Sequence, residues 1–162
     1  MNKLRNGAIA AVLALGLSAA PAFAQDQNLV RDTQGVGLMV SNIAGSGLTY
    51  QRVFPSGWGF HVSGIGWGQG SNFFYNFGGA VTKNLMAREW GDLYGLVAVG
   101  YGVNLFRGIS GVPGGTNIES NIAPGIGVRW GILTAELGYS FYMNAGGPGL
   151  TPAGGVGVMF NF

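Results

Sequence analysis

The sequence predicts an all-β protein, an eight-stranded antiparallel up-and-down transmembrane β-barrel with short turns and short external loops. Three observations predict this fold class. Apolar residues recur with a period of two between residues 35 and 162, and no segment there has a convincing period of 3.6. Only 9% of the residues are charged, whereas about a quarter is usual in soluble domains. The intervening positions are mostly small or polar, which suits an apolar exterior and a polar interior.

The first residues have the three parts of a secretory signal peptide: Lys3 and Arg5, an uncharged apolar stretch at 8–20, and a small-residue cleavage site at 22–24. A retained membrane anchor is the alternative, but the stretch is shorter than the ~20 residues that a spanning helix needs. The sequence therefore predicts a cleaved signal peptide at 1–24, a periplasmic tail at 25–34 and the barrel domain at 35–162.

Balanced charge limits the partners of the predicted mature chain. Beyond residue 24 there are six basic and six acidic residues, so no basic excess argues for nucleic acid. The chain has no Cys, so an exported fold must form without disulfides or thiolate metal ligands. One His and scattered carboxylates do not make a metal site. We therefore expect no metal and no cofactor.

Each of the first four predicted strands carries large apolar residues at alternate positions. Most of the eight reach the ~9–11 residues that a tilted membrane strand needs, and strand one is the weakest. A tight turn at 55–57 separates strands two and three. The predicted ranges are 35–41, 47–54, 58–67 and 73–82, and their apolar faces include Val36, Leu38, Val40, Leu48, Tyr50, Trp58, Phe60, Val62, Phe73, Tyr75 and Phe77.

The last four predicted strands continue the same alternation. A turn at Gly131 separates strands six and seven, and the faces opposite the apolar residues are mostly small or polar. The predicted ranges are 93–106, 117–130, 133–143 and 151–162, and their apolar faces include Val97, Val99, Tyr101, Ile122, Ile126, Val128, Leu133, Leu137, Tyr139, Val156 and Val158.

Connection lengths predict the orientation of the barrel. With both termini in the periplasm, the periplasmic turns are 55–57, 85–92 and the one at Gly131, and the external loops are 42–46, 69–72, 107–116 and 144–150. The aromatic residues then form two belts at the membrane interfaces, as membrane barrels require. The lower, periplasmic belt holds Phe54, Trp58, Phe60, Trp130, Phe160 and Phe162, and the upper belt holds Phe73, Tyr75, Tyr101, Tyr139 and Phe141.

The last strand ends with Val156, Val158, Phe160 and Phe162 at alternate positions. Together with the signal peptide and the eight strands, this ending resembles the small eight-stranded outer-membrane β-barrels of Gram-negative bacteria, with an outer membrane protein A/X-like architecture. The resemblance implies an outer-membrane location among outer-membrane lipids and lipopolysaccharide. It also implies that these four residues form the assembly signal that the barrel-assembly machinery reads.

Charged residues at inward positions predict a polar network in the lumen. Arg129 and Glu136 flank the turn at Gly131 on neighbouring strands, with near-diagonal spacing, and opposite charges so placed attract. Because an unpaired charge in a narrow lumen is costly, we expect an internal Arg129–Glu136 ion pair. We expect His61 to reach this pair from the opposite wall, and Glu119 also points inward. Such a network would brace the barrel and plug its lower half.

His61 and Ser63 are also candidate catalytic residues. A Ser, a His and a carboxylate such as Glu136 are the parts of a nucleophilic triad. The sequence His61-Val62-Ser63 resembles the His-x-Ser pair of the lipid A 3-O-deacylase family, whose eight-stranded barrels also use a Glu. That family has the pair late in the chain, whereas here it lies in strand three. His61 also lies in the predicted periplasmic half, away from the lipid A of the outer leaflet, so we expect no enzymatic activity.

The predicted lumen is rich in glycine. Missing side chains leave space for large neighbours, water or a small ligand, although glycine also permits the tight curvature of a small barrel. The favoured function is a structural or membrane-organising barrel with a largely plugged lumen. The alternatives are a narrow channel or conduit for small or hydrophobic molecules and, less favoured, a lipid A-modifying hydrolase. The inward glycines are Gly78, Gly100, Gly102, Gly125, Gly127, Gly138, Gly155 and Gly157.

Overall fold

The computed structural model of the chain describes residues 32–69, 72–106, 115–144 and 147–162. Within these ranges, no helix is long and apolar enough to cross a membrane. The predicted signal peptide at 1–24 and the first part of the tail, 25–31, lie outside the described residues. The strands are β1 (Thr33–Ser41), β2 (Gly47–Val53), β3 (Trp58–Gln69), β4 (Asn72–Arg88), β5 (Gly91–Phe106), β6 (Gly115–Trp130), β7 (Leu133–Asn144) and β8 (Gly147–Asn161).

Each strand pairs antiparallel with the next, and β8 pairs with β1 to close the ring. The closing ladder runs from Gly35 opposite Asn161 to Ser41 opposite Gly155. Beyond it, the backbones of Gln34 and Phe162 exchange two hydrogen bonds of 2.8 and 3.3 Å. A closed ring removes the free strand edges whose polar groups lipid cannot satisfy. The predicted fold class, an eight-stranded antiparallel up-and-down barrel, is confirmed, and the architecture is that of the small outer-membrane barrels.

The outer face of the barrel is apolar. Large side chains at outward positions are open to the surroundings, as with Leu137, which is 69% exposed, and Val40, which is 73% exposed. Such a surface is unfavourable in water and suits the hydrocarbon of a membrane. None of the aromatic residues of the two predicted belts is buried, and Trp90, which the sequence analysis did not include, is exposed in the β4–β5 turn.

Two predicted connections are shorter than expected. The turn predicted at 85–92 is only Glu89 and Trp90, because β4 continues to Arg88. A β-bulge between Asn84 and Met86 inserts Leu85 into β4, which breaks the period of two and hides the end of the strand from pattern reading. The loop predicted at 144–150 is also mostly strand, since β8 begins at Gly147 despite its proline and glycine content.

The segment between β1 and β2 turns into the barrel. The sequence predicted residues 42–46 as an external loop, and they do connect β1 and β2, but Ile43 and Ala44 are 0% exposed and pack inside the lumen instead of projecting from the barrel. The Ser41 hydroxyl accepts the backbone N–H groups of Ile43 (3.0 Å) and Ala44 (3.2 Å), which turns the chain inward. We call residues 42–46 the inserted loop. Its cluster partners in the lumen are Ala80, Tyr94, Leu96, Ala98, Ala123 and Ala153.

Small residues in the wall make room for the inserted loop. A Cβ atom added to Gly78 would lie 2.7 Å from the carbonyl carbon of Ala44, and one added to Gly100 would lie 3.2 Å from the Ile43 carbonyl oxygen. A side chain at Gly78 would therefore collide with the loop backbone, and one at Gly100 would crowd the loop and collide with the side chain of Asn121. The space left by this part of the glycine-rich lumen is occupied by the protein's own chain.

We expect Ile43→Ala to lower the free energy of unfolding by about 2–5 kcal/mol, because it removes a fully buried side chain from a packed interior. The measurement is urea unfolding in lipid vesicles, followed by the difference in gel mobility between folded and unfolded barrel. Val40→Ala is the matched control, since that side chain points outward and its loss leaves no cavity. Equal effects of the two substitutions would contradict the buried position of the loop.

Candidate functional site

A layer of polar side chains crosses the lumen next to the hydrophobic cluster that the inserted loop forms with the wall, and Tyr94 belongs to both. We call His61, Tyr94, Arg129 and Glu136 the polar layer; they come from β3, β5, β6 and β7. The Tyr94 hydroxyl donates to Glu136 Oε1 at 2.9 Å, and the Arg129 guanidinium lies 3.9 Å from the centroid of the Tyr94 ring. His61 Nδ1 is 3.6 Å from Glu136 Oε1. Tyr94 thus lies between Arg129 and Glu136 and contacts both.

The ion pair predicted between Arg129 and Glu136 is not direct. Within the described part of the chain, the carboxylate paired with Arg129 is Asp92, with Nη1 and Oδ2 3.7 Å apart. Arg129 also donates to Asn84 Oδ1 at 3.0 Å and to Thr82 Oγ1 at 3.2 Å. These contacts hold the guanidinium against β4 and β5.

The register explains why Tyr94 separates the predicted pair. Gly127 lies opposite Glu136 on one side and opposite Tyr94 on the other. A Cβ atom at Gly127 would collide with the Tyr94 ring, so the ring lies over this glycine and reaches Glu136. Pairing of an aromatic ring with a cross-strand glycine is a known device of β-barrels. The sequence pattern showed that Tyr94 and Gly127 both face inward. It did not show that they lie opposite each other on β5 and β6.

The candidate catalytic residues do not form a triad. His61, Ser63 and Glu136 are all buried. The Ser63 hydroxyl shares a 2.8 Å hydrogen bond with Thr49 Oγ1, and His61 faces Glu136. Among the described residues there is no hydrogen bond between Ser63 and His61, so the histidine is not placed to take the proton from the serine.

Glu119 lies far from the polar layer. It is ten residues from Arg129 along β6, or roughly 33 Å at the usual rise of a strand. It lines an open cavity near the end of the barrel that carries the β1–β2 connection. No group of three or more His, Cys, Asp or Glu residues that could hold a metal ion occurs in the ranges that the structure describes.

This cavity, which we call the vestibule, has a volume of about 380 Å³, and the inserted loop is its floor. Asn121 anchors the floor: its Nδ2 donates to the carbonyl oxygens of Asn42 (3.0 Å) and Ile43 (3.2 Å) and to Ser140 Oγ (2.9 Å). On the opposite wall, Asn76 Oδ1 accepts the backbone N–H of Ser46 at 2.6 Å. These asparagines were not among the predicted site residues, although their inward-facing positions in the strand alternation could have indicated them. The polar residues that line the vestibule include Asn42, Asn76, Glu119, Asn121, Ser140, Tyr142 and Thr151.

No protein-family model matches the chain, and no curated protein matches it. Among solved structures, it is similar to Ail, the attachment invasion locus protein of Yersinia pestis, in complex with the heparin analogue sucrose octasulfate, with 18% identity over 79% of this chain and 95% of that chain and a TM-score of 0.37. It is also similar to the backbone structure of Yersinia pestis Ail in a phospholipid bilayer nanodisc, with 17% identity over 81% and 99% of the two chains and a TM-score of 0.35. At these TM-scores, the likeness carries no argument, and the barrel architecture rests on the strand ladders.

We expect Tyr94→Phe to lower the free energy of unfolding by about 1–3 kcal/mol, because a buried oxygen of Glu136 loses its donor. A double-mutant cycle with Glu136→Leu isolates the pair, and we expect a coupling energy of about 0.5–3 kcal/mol. Urea unfolding in vesicles gives all four values. Tyr139→Phe is the control, since that ring is exposed on the outer face. Additive effects of the two substitutions would show that the bond does not stabilise the barrel.

Proposed function

We propose that the protein is a structural, non-conducting β-barrel of the outer membrane. The observation that carries this proposal is a lumen closed at two levels. The inserted loop fills one level, where Ile43 and Ala44 have no exposed surface. The polar layer fills the next, where Tyr94 is fully buried and Glu136 is 1% exposed. Interiors of eight-stranded barrels are narrow enough for side chains to fill them, and here side chains and backbone do so together.

The apolar outer face supports placement in a membrane, and the predicted signal peptide supports export to the outer membrane of a Gram-negative bacterium. We further propose that both termini face the periplasm. The turns at Pro55 and Ser56, Glu89 and Trp90, and Gly131 and Ile132 are then periplasmic, and the vestibule opens toward the outer leaflet and its lipopolysaccharide.

A channel and a hydrolase are the competing functions, and the geometry favours neither. An ion would have to displace both the inserted loop and the polar layer, which are held by hydrogen bonds to the wall. A hydrolase would need Ser63 next to His61, but the hydroxyl of Ser63 is bonded to Thr49 in a buried position.

A measurement of ionic conductance directly tests the proposal that the barrel is sealed. Purified protein reconstituted into planar lipid bilayers should give no discrete current steps, because buried side chains and backbone fill both levels of the lumen. A general porin added to the same bilayer afterwards verifies that open channels are detectable. Single variants at one level, Ile43→Gly or Tyr94→Ala, should stay silent because the other level remains closed. Regular current steps from the folded wild-type protein would refute the sealed barrel.

We also propose that the barrel-assembly machinery recognises the outward residues of β8, namely Val156, Val158, Phe160 and Phe162. Phe162 is 75% exposed, so its side chain adds little to the packing of the described part of the barrel. We expect Phe162→Ser to reduce the amount of assembled barrel in cells severalfold, while barrel refolded from urea keeps its stability. Trp130→Ser, an exposed aromatic on another strand, is the control and should assemble better than Phe162→Ser. Equal assembly of the two variants would contradict a signal in β8.

A further inference from the structure

The wall of the barrel is lower at β2 than at β3 and β4, and this uncovers an aromatic side chain. The β2–β3 ladder stops at Leu48 opposite Gly64, although β3 continues to Gln69 and stays paired with β4 up to that residue. Among the described residues, the upper end of β3 therefore has a partner strand on one side. Trp67 lies on this stretch, and its side chain is 71% exposed.

Strand alternation directs the Trp67 side chain toward the axis of the barrel. His61 and Ser63, which share its parity on β3, are buried in the lumen, whereas Val62 is exposed on the outer face. The β3–β4 ladder is regular from these residues to Trp67, so the parity is kept. A tryptophan that faces inward and stays mostly exposed adds little to packing, which makes it a candidate ligand contact.

The stagger of the strands places Tyr142 level with Trp67 on the opposite wall. Ladder partners traced from Leu38 through the eight strands lead to Pro148, ten residues along β8 from the direct partner of Leu38. At the strand tilt of about 40° that is typical of barrels, each step along the ladders climbs roughly 3 Å. Tyr142 lies four steps from Ser63 in one ladder row, so it lies about 12 Å above it. On β3, this height is reached near Trp67.

Tyr142 presents one face of its ring to the vestibule. A Cβ atom added to Gly149, its cross-strand neighbour on β8, would collide with this ring. The ring therefore lies over the glycine, in the same way as the Tyr94 ring lies over Gly127. One face is thus turned to the wall. The other borders the vestibule, which Tyr142 lines.

Hydrogen-bonding groups also line the vestibule. Asn76 Oδ1 accepts the Ser46 N–H, and Asn76 Nδ2 lies 3.3 Å from a Cβ atom added to Gly102, so the missing side chain leaves this amide open to the cavity. Asn121 and Thr151 add a second amide and a hydroxyl. Amides and hydroxyls both donate and accept hydrogen bonds. The volume of about 380 Å³ is near the lower end of the range of small-molecule sites.

We propose that the vestibule binds a carbohydrate, with one pyranose ring held between Trp67 and Tyr142. The C–H groups on the faces of a pyranose ring pack against aromatic rings, and the hydroxyl groups around its edge pair with amides and hydroxyls. An apolar ligand would leave these polar groups without partners, which is costly. The inserted loop is the floor of the site, so binding leaves the lumen sealed. Sugars of lipopolysaccharide and free oligosaccharides share this chemistry.

Trp67 itself can report binding. Trp58, Trp90 and Trp130 are exposed and can be replaced by Phe, which leaves Trp67 as the single fluorophore. The full mature chain in phosphatidylcholine nanodiscs is titrated with trisaccharides of glucose, galactose or N-acetylglucosamine. We expect a saturable blue shift of Trp67 emission with at least one of them. A variant that keeps only Trp130 is the control and should show no shift.

Nanodiscs that contain lipopolysaccharide distinguish the two sources. A shift of Trp67 emission with lipopolysaccharide that has a complete core, but not with lipid A, would assign the site to core sugars of the membrane. A shift with a soluble trisaccharide would assign it to free oligosaccharides, and either result supports the proposal. No saturable shift with any trisaccharide or with lipopolysaccharide would overturn it. Equal shifts with lipid A and complete lipopolysaccharide would also overturn it, since they would report lipid contact.

Two variants separate the site from the rest of the surface, with affinity measured by calorimetry on the preparation that shifts Trp67. Trp67→Ala should weaken binding at least tenfold, and Trp90→Ala, which removes an exposed ring from the β4–β5 turn, should not. Gly102→Phe fills the vestibule and should also weaken binding at least tenfold. Gly95→Phe is its control on the outward face of β5. Gel mobility verifies folding. Undiminished affinity of both Trp67→Ala and Gly102→Phe would refute the site.

Discussion

Closure of β8 onto β1 is the interaction on which the rest of the structure depends. Seven ladders would leave two strands with unpaired backbone groups, and hydrocarbon offers those groups no partner. Closure satisfies them, but it also encloses a narrow interior that must be filled. The large apolar residues are needed outside, against lipid. The interior therefore receives the small and polar residues, and their packing and hydrogen bonding become the main structural problem of the barrel.

The barrel fills its interior differently at its two levels, and glycine is essential to both. At the level of the inserted loop, Gly78 and Gly100 let backbone approach backbone. At the polar layer, Gly127 lets the Tyr94 ring lie flat against the wall, where it receives Arg129 on its face and donates to Glu136. Other parts of the protein thus occupy the space that the missing glycine side chains leave free. Buried polar groups connected in this way strengthen one another in a low dielectric.

The sequence was sufficient to predict the outer surface and insufficient for the interior. Alternation at positions such as Val36, Leu38 and Val40 follows directly from the pleat of a strand, so the eight strands were readable. The insertion of Leu85 was not, because a bulge interrupts the period that identifies a strand. Ile43 and Ala44 occupy a short segment without periodicity, and only the surrounding wall determines that it turns inward. Arg129 and Glu136 lie in the lumen, but their partners depend on register across three ladders.

The burial of the inserted loop also has a consequence for kinetics. Its apolar side chains contact residues of β4, β5, β6 and β8, and β8 reaches β1 only when segments more than a hundred residues apart in sequence have met. We therefore expect these contacts to form late, after most of the loop-closure entropy has been lost. Interactions that are absent from the transition state do little for the rate of folding and slow the reverse reaction. We therefore expect the inserted loop to slow unfolding and to prolong the lifetime of the folded barrel.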